Sequence, residues 1–229
     1  MAVLALLAPG CMFSRPTSEV LEKVDALPAR PSYLRVKNKV SLTSGWMSGR
    51  FTGVMAIRGG ESPAVRLQCF PDLGGKALDV LATPARMAGV VVQLNQGCDL
   101  AMPTSETPNP VTMMGASMLE FHAPVTRDRV LGQRAADGGW WLALKPVVAG
   151  VRIMVWLGPD GRITKKRVYW NGAGWDEGWE TDDVYVFKAP GVEMRVEQAE
   201  AKVVDSLPAS LFELTVPPGV KPIESPKPK

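Results

Sequence analysis

Through most of this chain, apolar side chains recur at every second position in short runs separated by turn residues, and that period of two confines the fold to β-sheet with one buried face. In "YLRVKNKVSLT", Leu34, Val36, Val40 and Leu42 stand in phase against Arg35, Lys37 and Lys39. "MSGRFTGVMAIR" sets Phe51, Met55 and Ile57 against Arg50, Thr52 and Arg58, and "PAVRLQCF" sets Val65, Leu67 and Cys69 against Arg66 and Gln68. "GGKALDVLATP" and "RMAGVVVQLN" continue the series at the spacing of an antiparallel meander. A second series follows in "GGWWLALKPV", "VRIMVWL", "RITKKRVYW", "DDVYVFKA" and "GVEMRVEQAEAKV", with a short last strand in "LPASLFELTV". Within it, residues 151–170 read as a hairpin about the turn "GPDG". The pattern predicts a mainly β (α+β) protein of about ten to eleven strands curled into an open antiparallel β-barrel or half-barrel, wrapped around one or two helices.

Two segments have helical period instead. In "PTSEVLEKVDALPARPS", Thr17 or Ser18 can cap a helix, Val20, Leu21, Val24 and Leu27 form its apolar stripe, and Pro28 and Pro31 end it. After a loop with Pro103, Pro108 and Pro110, Val111 to Phe121 reads as a second helix, with Met113, Met114, Met118, Leu119 and Phe121 apolar. The 22 glycines and 20 prolines of the 229 residues fit many turns. A net charge of +3 spread along the chain argues against a nucleic-acid partner.

The first residues set the compartment. Ala2 to Ala8 is an apolar run far short of the about 20 residues of a membrane-spanning helix, but of the length of a short secretory signal. It ends at Ala8-Pro9-Gly10-Cys11, which resembles the bacterial lipoprotein cleavage box, in which the cysteine is acylated and becomes the mature N-terminus. The expected organisation is a lipoprotein-type signal at 1–10, an anchor segment and helix at 11–32, one barrel domain at 33–220 and a Pro/Lys tail at 221–229. Cys11 is the candidate lipidation site. In an oxidising envelope, Cys69 and Cys98 are either a disulfide or two separate buried thiols.

The order of elements, the closing pattern Leu207-Pro208, Phe212, Pro217 and Gly219, and the early "SGRFTGVMAIRGG" and "VRLQCFPDLGG" resemble the superfamily of the periplasmic lipoprotein carrier and its outer-membrane receptor, LolA and LolB. The resemblance implies an unclosed barrel around helices with an apolar cavity for acyl chains. It also implies, for a receptor, an exposed apolar loop tip, which the sequence does not single out. It further implies an outer-membrane location facing the periplasm, a membrane partner through the anchor, an acyl-chain or lipoprotein ligand, and a monomer without cofactor or enzymatic activity.

Candidate cavity residues on the alternating inner faces are Met55, Ile57, Val65, Leu67, Val80, Leu142, Leu144, Ile153, Val155, Met194 and Val196, joined by Met114 and Met118 of the second helix. Most alternating apolar faces are simply filled, so each of these also reads as plain core. Trp170, Trp175 and Trp179, in "YWNGAGWDEGWETDD" beside Asp176, Glu177, Glu180, Asp182 and Asp183, form a candidate aromatic platform for a sugar, or a cation site, the basis of an alternative reading as an anchored scaffold or carbohydrate-binding module. Lys165, Lys166 and Arg167 read as a solvated strand face. The one histidine, His122, stands without a nucleophile motif, and no metal-ligand spacing is present.

Overall fold

The structure, a computed structural model, describes residues 13–45 and 47–223. Residues 1–12, with the expected signal and Cys11, and residues 224–229 lie outside the described residues. A first meander comprises β1 (Tyr33–Ser44), β2 (Ser48–Arg58), β3 (Ala64–Phe70), β4 (Leu78–Thr83), β5 (Arg86–Val91) and β6 (Gln96–Ala101). A second comprises β7 (Val130–Ala136), β8 (Gly139–Leu144), β9 (Val151–Leu157), β10 (Ile163–Trp170), β11 (Ala173–Trp179), β12 (Val184–Ala189) and β13 (Val192–Val203). With β14 (Lys221–Pro222) they make one sheet in the order β14-β6-β5-β4-β3-β2-β1-β13-β12-β11-β10-β9-β8-β7. Neighbours are antiparallel except β14, which runs parallel to β6. β7 and β14 are not paired to each other, so the curled sheet is an open barrel.

Among the described residues, fourteen strands replace the ten or eleven expected. β6 and β11 carry glycine and acidic residues that interrupt alternation. β7 is a terminal strand on which Ser14 bridges Gln133. β14 is only two residues long, and with Ile223 buried beyond it, packed chain continues past 220, where the tail was expected to begin. The strand expected in "LPASLFELTV" is instead a short 3-10 turn, Ala209–Phe212, followed by extended chain.

Among the described residues, two α-helices pack on the sheet. In α1 (Ser18–Asp25), Thr17 accepts from the Val20 amide and caps the start, and Val20 and Val24 pack on Leu142, Leu144, Ile153, Val155 and Leu157 of β8 and β9. α2 (Pro110–His122) begins where Asn109 Oδ1 accepts from the Val111 and Thr112 amides, both at 3.0 Å, and Pro110 sits where no amide partner is needed. Every α2 residue from Pro110 to Glu120 is buried, so a pattern with apolar residues nearly all round becomes a central helix. It lies so close to the sheet that a Cβ at Gly89 would come within 2.2 Å of Val111 Cγ1.

β4 and β5 are buried on both faces because the chain after Leu207 crosses the outside of the first meander. Phe212 and Leu214 pack there on Ala56, Ala64, Leu81 and Ala88. Arg66 holds the crossing segment in place. Its Nε and Nη2 donate to the two Asp79 oxygens at 2.8 Å, while Nη1 donates to the Leu211 and Glu213 carbonyls at 3.1 and 3.0 Å. Burial pushes the Asp79 carboxyl up, but hydrogen bonds from Arg66, Lys76 and Gln68 outweigh it and hold the group below the usual carboxylate value. Arg86 repeats the arrangement, gripping Asp99 and the Leu214 carbonyl.

The Arg66 clamp generates a test. Arg66→Met leaves a buried carboxylate with only Lys76 and Gln68, and should cost about 3 kcal/mol in urea unfolding at pH 7. The contribution of a depressed carboxyl is fully present above its unfolded pKa of about 4 and is lost as pH falls through the lower native value, so the gap between wild type and variant should narrow as pH falls below about 4. A cost under about 1 kcal/mol would show that the clamp does not hold the segment.

Candidate functional site

On the concave side, the C-terminal half of α2 stands off the seam between β1 and β13 and leaves a pocket of about 50 Å³. Met118, Phe121 and His122 of α2 face Val36 and Met55 of β1 and β2, Phe187 of β12, and Met194 and Val196 of β13. Phe121, Trp179 and Tyr185 form one side as an aromatic triad, with ring centroids 4.6 to 5.6 Å apart. The same three rings line a neighbouring cavity of about 40 Å³, which shares Arg30, Val125 and Ile163 with a groove of about 470 Å³ beside the end of α1. The triad therefore stands between a small apolar pocket and a larger, more open space.

The pocket lining contains no Asp, Glu, Lys or Arg. Asn38, Ser117 and Gln198 are its polar members, with His122, whose imidazole is pushed down to about 3 by burial first and by the nearby Arg30 and Lys166 charges second. His122 is thus neutral under physiological conditions and stacks edge-on against Phe121 at 4.9 Å.

Beneath the triad lies a buried polar cluster that fixes α2. Lys166 Nζ is 2.8 Å from Glu177 Oε2 and donates to the Ser117 carbonyl at 2.9 Å, with the two side chains 5% and 0% exposed. Trp175 Nε1 donates to Ser117 Oγ at 2.6 Å and to Glu177 Oε1 at 2.8 Å, and the Tyr185 and Ser117 hydroxyls also donate to Glu177. Lys166 in addition sits 5.3 Å from the Phe121 ring centroid. One turn on, Glu120 accepts from Arg129 at 2.9 Å and from the Val147 and Val148 amides at 2.6 and 2.9 Å. Each buried charge is paired and hydrogen-bonded, as its desolvation requires.

Of the expected cavity residues, Met55, Met118, Met194 and Val196 line the pocket. Ile57, Val65, Leu67, Val80 and Met114 are in the packed core with α2, and Leu142, Leu144, Ile153 and Val155 pack beneath α1 instead. The alternation located the inner face but not which part of it α2 leaves uncovered. The platform expectation is corrected: Trp170 and Trp175 are 1% and 3% exposed on the buried face of the β10–β11 pair, and Trp179 belongs to the triad. Lys166 likewise points inward, while Lys165 and Arg167 lie over Trp156 and Trp141. Cys69 on β3 and Cys98 on β6 are free thiols with β4 and β5 between them, about 14 Å by strand spacing and too far to bridge. Burial pushes the two thiols up to about 12 and about 11. Among the described residues no three His, Cys, Asp or Glu side chains gather to hold a metal, and no helix is long and apolar enough to cross a membrane.

Sequence reasoning missed Asn38, Ser117, Tyr185 and Gln198. The available signal was Asn38 itself, a polar residue in phase with Val36 and Val40 on the buried face of β1. It also did not single out Leu73. This side chain is 102% exposed at the tip of the β3–β4 turn, where Gly74 and Gly75 at φ of 86° and 76° turn the chain back.

No protein family and no curated protein matches the sequence. Solved structures similar to the chain include a LolA superfamily protein from Nitrosomonas europaea, with a TM-score of 0.54 and 13% identity over 89% of this chain and 99% of that one. A DUF1329 family protein from Desulfovibrio piger gives 0.55 and 10% over 84% and 92%. A domain described as an outer membrane lipoprotein-sorting protein, from Vibrio parahaemolyticus, gives 0.55 and 12% over 85% and 94%. The chain has a LolA-like fold.

Because His122 is the sole histidine, one imidazole resonance reports on the pocket. It should keep the chemical shift of the neutral ring from pH 8 to pH 5, and begin to titrate near the unfolded value of about 6.5 only when the protein is unfolded in urea. Titration near 6.5 in the folded protein would mean that the ring is solvated and the pocket wall is not formed.

Proposed function

We propose that this protein is a lipid-anchored, non-enzymatic component of a bacterial envelope that binds an acyl chain, as part of a lipid or lipoprotein, on the concave side of its open barrel. The observation that carries the reading is the uncharged, aromatic-sided pocket between α2 and the β1–β13 seam, within a LolA-like fold. Enclosure of a chain is favourable at about 0.8 kcal/mol per methylene withdrawn from water. At about 50 Å³ the pocket admits only a few heavy atoms, so chain entry involves rotation of Phe121 and Trp179, with Tyr185 held by Glu177, and merging with the adjoining cavities. The buried clamps hold the body of α2 during that rotation, leaving Phe121 and His122 as its adaptable end.

Two features support the orientation. The fully exposed Leu73 at the β3–β4 tip is an apolar contact for a membrane surface, of the kind a receptor of this superfamily would carry. Acylation at Cys11 would tether the domain through the segment that reaches β7 at Ser14. An outer-membrane location facing the periplasm follows from this reading. The alternative, an anchored scaffold with a filled barrel, is favoured by the same small volume.

Intact mass spectrometry of protein purified from membranes in detergent, beside a Cys11→Ala control, tests the reading. Acylation at Cys11 with co-purifying lipid is expected. Acylation with a domain that takes up no lipid would favour the scaffold, and an unmodified Cys11 would remove the envelope premise. For the tip, Leu73→Glu in the Cys11→Ala background should weaken binding to phospholipid vesicles about tenfold, roughly 1.4 kcal/mol. Unchanged vesicle binding would remove Leu73 from the membrane-facing surface.

A further inference from the structure

The acyl-binding reading leaves open which kind of acyl compound the pocket accepts, and the wall of the pocket carries a feature that bears on it. Asn38 is 3% exposed, and its amide nitrogen Nδ2 is buried with no hydrogen-bond partner. A buried donor without an acceptor costs stability, so its presence in the middle of β1 calls for a reason. No protein acceptor in its surroundings engages it. On β1 it lies between Val36 and Val40, on β2 it faces Gly53, which has no side chain, and Met55 is the nearby pocket residue. On β13 its register partner is Gln198, at the point where the pairing slips by one residue past Ala199. Such a bulge re-aims side chains locally, and here it places two amide side chains at the edge of a pocket lined mainly by apolar side chains. The other orphan donor among the described residues, Trp170 Nε1, lines none of the cavities described above.

We propose that Asn38 donates to the carbonyl oxygen that links an acyl chain to its carrier, so that the pocket selects neutral acyl conjugates, esters or amides, over free fatty acids. This inference rests on the acyl-binding reading. Two properties of the wall give the selectivity its direction. An amide N–H is matched by a neutral carbonyl acceptor placed at the polar edge of the pocket while the chain lies among Met118, Phe187 and Met194. A carboxylate at the Asn38 edge would have to shed its water against a lining that carries no cationic side chain of its own; Arg30 and Lys165 belong to the adjoining cavity, where Lys166 is already paired with Glu177. The neutral His122 adds no charge to offset that desolvation.

The test compares eight-carbon probes by calorimetric titration: methyl octanoate, N-methyloctanamide, octyl methyl ether and octanoate. In the wild type, the ester or the amide should bind about tenfold more tightly than the ether, the difference made by one neutral hydrogen bond at a buried site, and octanoate should bind more weakly than the ether. Asn38→Leu, which removes the orphan donor at similar volume, should lose the preference for the carbonyl, so that ester, amide and ether bind it with similar affinity. Asn38→Val is a second variant suited to a strand, and both should show urea midpoints equal to or above that of the wild type. Dioctanoylglycerol and an N-octanoyl dipeptide amide then separate a glycerolipid source from an N-acylated protein. Tighter binding of either, with dependence on Asn38, supports the proposal and names the source. Equal binding of ester, amide and ether by the wild type, a preference that survives in both variants, or preferred binding of octanoate would overturn it while leaving acyl binding intact. Failure of the wild type to bind any probe would overturn the acyl-binding reading and this inference with it.

Discussion

The pairing of β1 with β13 is the constraint on which the rest of the molecule depends. Residues 34–44 meet residues 192–203 across some 150 positions of sequence, and this one seam turns two separate meanders into one sheet. A contact so distant in sequence is costly in chain entropy and has to be secured by burial on the concave side. Val36, Val40 and Leu42 supply that from one strand and Val192, Met194 and Val196 from the other. The sheet curls to bury these faces, and the curl creates the space that α2 fills.

How α2 fills it decides the shape and chemistry of the pocket. An apolar helix on an apolar sheet is free to slide, whereas buried polar contacts have one geometry. Asn109 fixes the start of α2, the Ser117–Glu177–Lys166 cluster its middle, and Glu120 with Arg129 its last turn. The charges are consumed by one another inside the wall, so the pocket beside them presents aromatic rings, thioethers and amides and no net charge. The separation of a charged scaffold from an uncharged cavity is the physical basis for reading the site as one for a neutral, chain-like ligand.

Much of this architecture was legible in the sequence. Alternation marked the inner faces, the Thr17 cap and the prolines bounded α1, Pro110 and the Met-rich run located α2, and the "GPDG" turn joined β9 to β10. The elements that escaped were those whose stability comes from neighbours. β11 reads as an acidic, glycine-rich loop because its buried face carries Trp175 and Glu177 in place of two aliphatic residues, and Glu177 is tolerable there only because Lys166 arrives from β10. The pairing of Cys69 with Cys98 stayed an open alternative until the strand order put β4 and β5 between them. The site was half legible. Its methionines and valines sat on predicted inner faces, but Asn38 and Tyr185 become pocket residues only through their position opposite α2.

The sequence by itself determined the fold class, the two helices and the inward set of apolar residues, because these follow from side-chain periodicity and from local capping and turn chemistry. Only the tertiary structure decided which inward residues border a cavity, which tryptophans are buried and where Leu73 projects. Those properties depend on the strand order and on where one helix stops covering the sheet, and neither is written in any local stretch of chain.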